Sequence, residues 1–335
     1  MDKTWMLTVA VPVLALGGSF ALTALALERL KRRAILDRPG QRSLHDAPVP
    51  RGGGLAVVPI LAAGWIALAA LGDSPAQAAF VALAACALAA FSFLDDLKGL
   101  PIAARLAGHF AAAALGVWLL PFGATVFQGL LPPFLDRVAA TVLLAWFINL
   151  YNFMDGIDGI TGIETACLGL GAAWVLTLEN GFGDGTAYLA LTAMAAAVGF
   201  LPWNWHKARI FLGDVGSIPL GYVMGWLLLL LAAKGYWVQA LILPLYYLAD
   251  ATITLVRRMA RGERFWQAHK SHFYQRAAVR DGDHAVVAVL ILAGDLTLLA
   301  LALLAVFHPL GALVLAAAVT GAMLVVLARR AQGAG

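Results

Sequence analysis

Residues 5–33 read WMLTVAVPVLALGGSFALTALALERLKRR. Trp5 to Leu27 is apolar apart from a few Ser and Thr, and it stops at Glu28, Arg29, Lys31, Arg32 and Arg33. A helix needs about 20 apolar residues to cross the hydrocarbon core of a bilayer. This run is long enough to cross, too long for the apolar core of a cleavable signal, and closed by a basic cluster, so it reads as an anchor.

The rest of the chain repeats the pattern. Of 335 residues, 62% are hydrophobic and 13% charged, against about 45–50% and about 25% in soluble domains. A soluble core of this size cannot hide that much apolar surface, so the excess faces lipid. That excludes a cytosolic enzyme, a secreted domain and a disordered chain. Net charge is only +4, which gives no reason to expect a nucleic-acid partner. Cys86 and Cys167 lie in apolar runs and form no zinc or redox motif.

Eleven segments have the length and hydropathy of a membrane crossing: 5–27, 55–71, 76–94, 102–120, 137–153, 159–178, 186–203, 217–233, 236–256, 285–307 and 309–328. With residue 1 outside and strict alternation, 20 of the 23 Lys and Arg fall on the inner side; Lys3, Arg137 and Lys234 fall outside. This satisfies the positive-inside rule. The expectation is an all-α polytopic bundle, N-terminus periplasmic and C-terminus cytoplasmic. It forms a single integral membrane domain, 1–335, whose inner loops 28–54, 95–101, 153–159, 204–217 and 257–284 form the site.

Costly polar residues gather in those loops. Arg38, Arg42, His45 and Arg51 precede Gly52-Gly53-Gly54; glycine amides at a helix start, with positive charge around them, suit a phosphate. Asp95-Asp96, followed by Lys98 and Arg105, offers paired carboxylates of the kind that hold Mg²⁺. Asn152, Asp155 and Asp158 recur every three residues; in a helix they would form one polar stripe. No cation lies within that stretch, so the acids call for a metal, a ligand donor or a basic residue from elsewhere. Asp214 sits between Gly213 and Val215-Gly216-Ser217 before an apolar span, with Asp214 or Ser217 available as helix cap. His269, Lys270, His272, Tyr274, Gln275 and Arg276 fall within eight residues and suit a polyanion. Asp250 can reach the same cavity or pair within the bundle, whereas Glu164 and Asp295 read as packing or interfacial groups. Sparse carboxylates, several cations and a glycine loop on one side fit Mg²⁺-assisted phosphoryl transfer between a soluble and a lipid substrate.

Arg42-Ser43-Leu44-His45 with Pro48 to Gly54, Asp95-Asp96, Asn152 to Gly159, Phe211 to Ser217 and His269 to Arg276 stand in an order that resembles the polyprenyl-phosphate N-acetylhexosamine-1-phosphate transferases. These are relatives of the phospho-N-acetylmuramoyl-pentapeptide translocase. The histidine loop is similar to the O-antigen-type branch. The resemblance implies transfer of a sugar 1-phosphate from a UDP-N-acetylhexosamine, 6-deoxy or not, to undecaprenyl phosphate. Products would be UMP and an undecaprenyl-diphosphate sugar for O-antigen or another envelope glycan. It implies Mg²⁺, with Mn²⁺ as a substitute, a site facing the cytoplasm of a bacterial inner membrane, and room for a homodimer. By motif, Asp214 would hold the metal, with Asp95 or Asp96 nearby. Asp95, Asp96, Asp155, Asp158 and His269 would be catalytic, and His45, Arg51, Gly53, Arg105, Asn152, His272 and Arg276 would bind substrate.

Two departures bear on sugar contacts: Val49, where the family often has Thr, and His206-Lys207, where relatives often have Pro. A lipid or anion transporter would also use intramembrane acids, but it would carry polar residues through the midplane. Here they pool at one face.

Overall fold

The computed structural model describes residues 3–37, 48–72, 74–183, 185–263 and 269–333. The helices are α1 (Lys3–Arg32), α2 (Gly54–Ala70), α3 (Gln77–Lys98), α4 (Ile102–Trp118), α5 (Pro133–Phe153), α6 (Ile160–Asn180), α7 (Thr186–Asn204), α8 (Asp214–Ala233), α9 (Trp237–Ile242), α10 (Leu245–Ala260), α11 (Phe273–Asp281), α12 (His284–Leu304) and α13 (Pro309–Gln332). All eleven apolar segments are helical. Among the described residues, eight helices are long and apolar enough to cross a membrane, and α2 and α4 are apolar helices of 17 residues each. The segment at 236–256 is broken into α9 and α10 at Leu243-Pro244, where proline has no amide to continue the helix. α11 is an additional short helix that the sequence reading left inside a loop.

One departure from an all-helical chain lies beside the first glycine loop. Strands β1 (Leu36–Asp37) and β2 (Val49–Pro50) pair antiparallel, Leu36 opposite Pro50 and Asp37 opposite Val49. The chain between them, with Arg42 and the predicted ligand His45, lies outside the described residues.

α8 is the axis of the bundle. Its apolar stretch is 100% buried, against 22% for α1 and 28% for α13. Outer helices instead present Leu14, Phe80, Trp118, Trp174 and Leu310 to the surroundings, the surface expected where lipid is the solvent. Small residues let neighbours reach the α8 backbone. A side chain on Gly54 of α2 would overlap Gly216 of α8, and one on Gly225 would overlap Leu144 of α5. Lipid supplies no hydrophobic drive between helices, so close packing and interhelical hydrogen bonds must hold them. Trp226 Nε1 donates to Gly116 O at 3.0 Å, Trp65 Nε1 to Leu189 O at 2.9 Å, and Ser19 Oγ to Ala196 O at 2.7 Å. Glu164 on α6 and Asp295 on α12 are both buried, and their carboxyl groups face each other between the two helices.

The Gly54–Gly216 contact can be tested directly. Gly54→Ala should cost about 1–3 kcal/mol through overpacking, read as a lowered unfolding temperature in detergent. Gly17→Ala, where an added Cβ meets nothing within 4 Å, should be neutral or slightly stabilising.

Candidate active site

The polar loops converge because helix ends converge. The C-terminal ends of α3 and α5 and the N-terminal ends of α2, α4, α6 and α8 carry the motifs, and side-chain contacts link them.

The glycine loop is spent on building this end of the molecule. Gly52 N and Gly53 N both donate to Phe211 O, at 3.0 and 2.8 Å, Gly54 N donates to Leu212 O at 3.0 Å, and Phe211 N returns a bond to Pro50 O at 2.8 Å. The expected role of Gly53 as a phosphate-binding amide is therefore corrected: its N–H is occupied. It is glycine because a Cβ would run into the ring of Phe200. The splice brings Arg51 beside Phe211 and hence to Asp214. Gly213 adopts φ +73°, a region few other residues enter, and a Cβ there would press on Arg51 at 3.0 Å.

Arg51 is the hub. Its Nη2 lies 2.6 Å from Asp214 Oδ1 and 3.8 Å from Asp96 Oδ1. Burial works against the guanidinium charge, but Asp214, Asp96 and Asp37 outweigh it and hold the pKa above the ordinary value. Asp37 reaches this field through the β1–β2 pairing, which the sequence reading did not foresee. Asp214 opens α8, where the helix dipole favours an acid. No side-chain cap forms there; Ser217 Oγ instead donates to Asn152 Oδ1 at 2.6 Å.

Asp95 and Asp96 separate in role. Asp95 Oδ1 accepts the Leu100 amide at 2.7 Å, and Oδ2 faces Arg105 Nη1 at 3.4 Å. Asp95 thus closes the turn after α3, while Asp96 is the acid that shares Arg51 with Asp214. Of the two acids expected beside Asp214, Asp96 is the one that faces the Arg51–Asp214 pair, because the α3 end turns Asp95 toward Leu100 and Arg105.

The predicted stripe of Asn152, Asp155 and Asp158 does not exist. α5 ends at Phe153, and Gly156 and Gly159 (φ +78°) carry the chain through a turn before α6. The three side chains go three ways. Asp155 accepts Thr161 Oγ1 at 2.7 Å and lies in the field of Asp214 and Arg51. Burial pushes its carboxyl up to about 6, with the Thr161 bond pulling the other way. Asp158 turns to histidines: Oδ2 accepts from His206 Nδ1 at 2.8 Å and Ala208 N at 3.1 Å, and Oδ1 lies 3.4 Å from His284 Nδ1. Burial raises the Asp158 carboxyl, but His284, His206 and the Ala208 amide more than offset it, so the group stays below its usual range.

Among the described residues, one group brings three ligand atoms together as a metal site would, and it is not the acids around Arg51: Asp214 and Asp96 meet through Arg51, and Asp155 lies in the field of Asp214 and Arg51. Ligand atoms of Asp158, His206 and His284 lie within 4.8 Å of one another; hydrogen bonds from His206 and Ala208 already satisfy Asp158 Oδ2.

The histidine loop forms a third group. His272 Nδ1 is 3.1 Å from Asp250 Oδ1, and the His269 ring stacks on His272 at 4.9 Å. Burial, with His272 and Arg258 alongside, pushes the His269 imidazole down to about 4. His269 is therefore neutral at pH 7, and its Nδ1 accepts the Ser271 amide at 3.3 Å. Tyr274 Oη donates to Phe153 O at 2.9 Å, laying the start of α11 over the Asp155 turn. Arg276 is exposed. Asp250, His206, His284 and Thr161 thus join a site whose motifs did not include them. Their only sequence signal was polarity next to apolar spans.

The fold and this acidic centre are those of a polytopic membrane protein with charged groups gathered where its helix ends meet. Residues 54–232, more than half of the chain, match the glycosyl transferase family 4. The chain is 28% identical over 265 residues to the "Probable undecaprenyl-phosphate N-acetylglucosaminyl 1-phosphate transferase" of Bacillus subtilis (strain 168), covering 74% of this chain and 72% of that protein. It is 31% identical over 304 residues to the phospho-N-acetylmuramoyl-pentapeptide-transferase of Mycobacterium sp. (strain KMS), covering 74% and 82%. The decaprenyl-phosphate N-acetylglucosaminephosphotransferase of Mycobacterium leprae (strain TN) is 28% identical over 298 residues, covering 76% and 72%. This chain belongs to glycosyl transferase family 4, among the polyprenyl-phosphate hexosamine-1-phosphate transferases.

Removing the hub cation leaves Asp214 and Asp96 facing each other. Arg51→Ala should cost about 1–2 kcal/mol in EDTA, allowing for the partial exposure of the pair. The loss should appear as a lowered unfolding temperature in detergent.

Proposed function

We propose that the protein transfers an N-acetylhexosamine 1-phosphate from a UDP-sugar to undecaprenyl phosphate, at the cytoplasmic face of a bacterial inner membrane. The bundle would cross eleven times with its N-terminus outside, counting α2, α4 and the α9–α10 pair with the eight long helices. The supporting observation is the Arg51–Asp214–Asp96 group at the end of an otherwise apolar bundle, with Asp155 in its field. Charges of both signs beside lipid are costly without a task, and the names of the relatives describe this kind of transfer.

Asp214 and Asp96 are oxygen ligands of the kind that would hold Mg²⁺, and the ion would neutralise diphosphate charge. The protein's own groups account for the rest. Arg51 and Arg105 would position diphosphate and lipid phosphate oxygens, Arg51 by changing partners from carboxylate to phosphate. Asp155, ionised above pH 6, would orient the attacking group. An oxygen of the lipid phosphate forms a bond to the sugar-linked phosphorus. The bond from that phosphorus to the bridging oxygen breaks, and UMP leaves with the electron pair. Positioning and charge neutralisation supply most of such catalysis.

Purified protein with Mg²⁺, undecaprenyl phosphate and a panel of UDP-sugars should release UMP with at least one UDP-N-acetylhexosamine. No UMP from any of them would overturn the proposal. Asp214→Asn should abolish turnover, and Asp95→Asn should leave the Mg²⁺ requirement less affected than Asp96→Asn.

The Asp155 carboxyl gives a pH signature. Because kcat/KM reports the free enzyme, it should rise as pH increases through about 6. Thr161→Val removes a hydrogen bond that favours the ionised form, so the limb should move to higher pH. An unmoved limb would mean that another group sets it.

A further inference from the structure

Asp250 lies on α10, outside every motif that marks the acidic centre, and it is fully buried. Five donors converge on its carboxylate. Oδ1 receives His272 Nδ1 at 3.1 Å, Phe273 N at 3.1 Å and Thr254 Oγ1 at 3.2 Å. Oδ2 receives Tyr274 N and Tyr246 Oη, each at 3.2 Å. Phe273 and Tyr274 are the first two residues of α11, whose amides have no partner within their own helix. The local cap residue, His272, makes no side-chain cap bond. A carboxylate from another helix therefore does the capping, in the place where the α11 dipole favours negative charge.

The same carboxylate determines the state of His272. A carboxylate only accepts, so Nδ1 must carry the proton. Nε2 is then the ring's remaining nitrogen, and it is buried without a partner among the described residues. Two further contacts extend the chain to the acidic centre. Tyr274 Oη donates to Phe153 O at 2.9 Å, and a side chain on Gly156 would overlap Tyr274 Oη and crowd Gln275 Nε2 at 2.8 Å. Asp155 sits within that turn.

We propose that Asp250 is a positioning residue for the transfer reaction. It fixes His272 as the Nδ1–H form, so that Nε2 meets a substrate phosphate, and it locks α11 over the turn that carries Asp155. When Nε2 is also protonated and donates to phosphate, Asp250 balances the imidazolium charge. The catalytic part of this inference rests on the phosphoryl-transfer reading; the tautomer part does not.

The test uses full-length enzyme in detergent or nanodiscs, with ¹⁵N-labelled histidine and UMP release as separate readouts. Wild-type His272, assigned by loss of its signals in His272→Ala, should show a protonated Nδ1 in the absence of substrate. Asp250→Asn should abolish that signature and lower kcat by about tenfold or more, with a smaller change in KM for the UDP-sugar. Asp250→Glu should recover part of both. The Asp250→Asn/His272→Ala double variant should lose less than the two single losses combined, because the first residue acts in part through the second. A wild-type His272 protonated on Nε2 instead would overturn the proposal even if Asp250→Asn fails to fold. So would strictly additive rate losses in the double variant. If wild-type enzyme releases no UMP from any UDP-sugar, the transfer reading fails while the NMR result still decides the Asp250–His272 pairing.

Discussion

One guanidinium holds the functional end of this molecule together. Arg51 reaches Asp214 across 163 positions of sequence and stands close to Asp96 on a third helix. At the edge of an apolar bundle, neither acid has a cheap alternative: unpaired, each would lose solvation without recovering it. The backbone reinforces the side chain. Phe211 and Leu212 accept three successive glycine amides from the Arg51 loop, so the loop before α2 and the loop before α8 are spliced into one unit. Every other part of the site is placed relative to that unit.

Close approach is what makes the splice feasible. α8 is surrounded on all sides, and its glycines admit α2 and α5 to its backbone. With α8 central, its first residue, Asp214, is delivered to the middle of the converging helix ends. Peripheral helices such as α1 and α13 contribute breadth and lipid contact instead. The bundle's architecture and the location of its chemistry are one consequence of where glycine permits contact.

The acids that look alike in sequence differ in company. Asp96, Asp155 and Asp214 share an oxygen-rich field with one arginine. Asp158 is enclosed by two imidazoles, and Asp250 caps a helix. Proximity along the chain misleads here. Asp155 and Asp158 are three residues apart, yet the glycine turn between them points one toward Arg51 and the other toward α12. Asp95 and Asp96 are adjacent, and a helix C-terminus separates a turn-closing acid from a site acid.

Much of this was legible from residue types alone. Apolar runs of crossing length must become helices in lipid, because backbone polar groups there have no other partner. The rarity of charge marked Asp95, Asp96, Asp155, Asp158 and Asp214 as purposeful, and their order identified the family. What remained illegible depends on approach between distant segments. The glycine loop looked like an anion cradle until Phe211 and Leu212 occupied its amides. The β1–β2 pairing that brings Asp37 to Arg51 leaves no periodic trace in two-residue strands. Asp250 offered one polar residue in an apolar helix, and nothing local distinguishes a tertiary cap from a stray acid. Composition and periodicity determine which residues must leave lipid and where helices run, since those are one-dimensional properties. Only the tertiary structure decides which acid meets which cation or imidazole, because that follows from helix ends meeting in space.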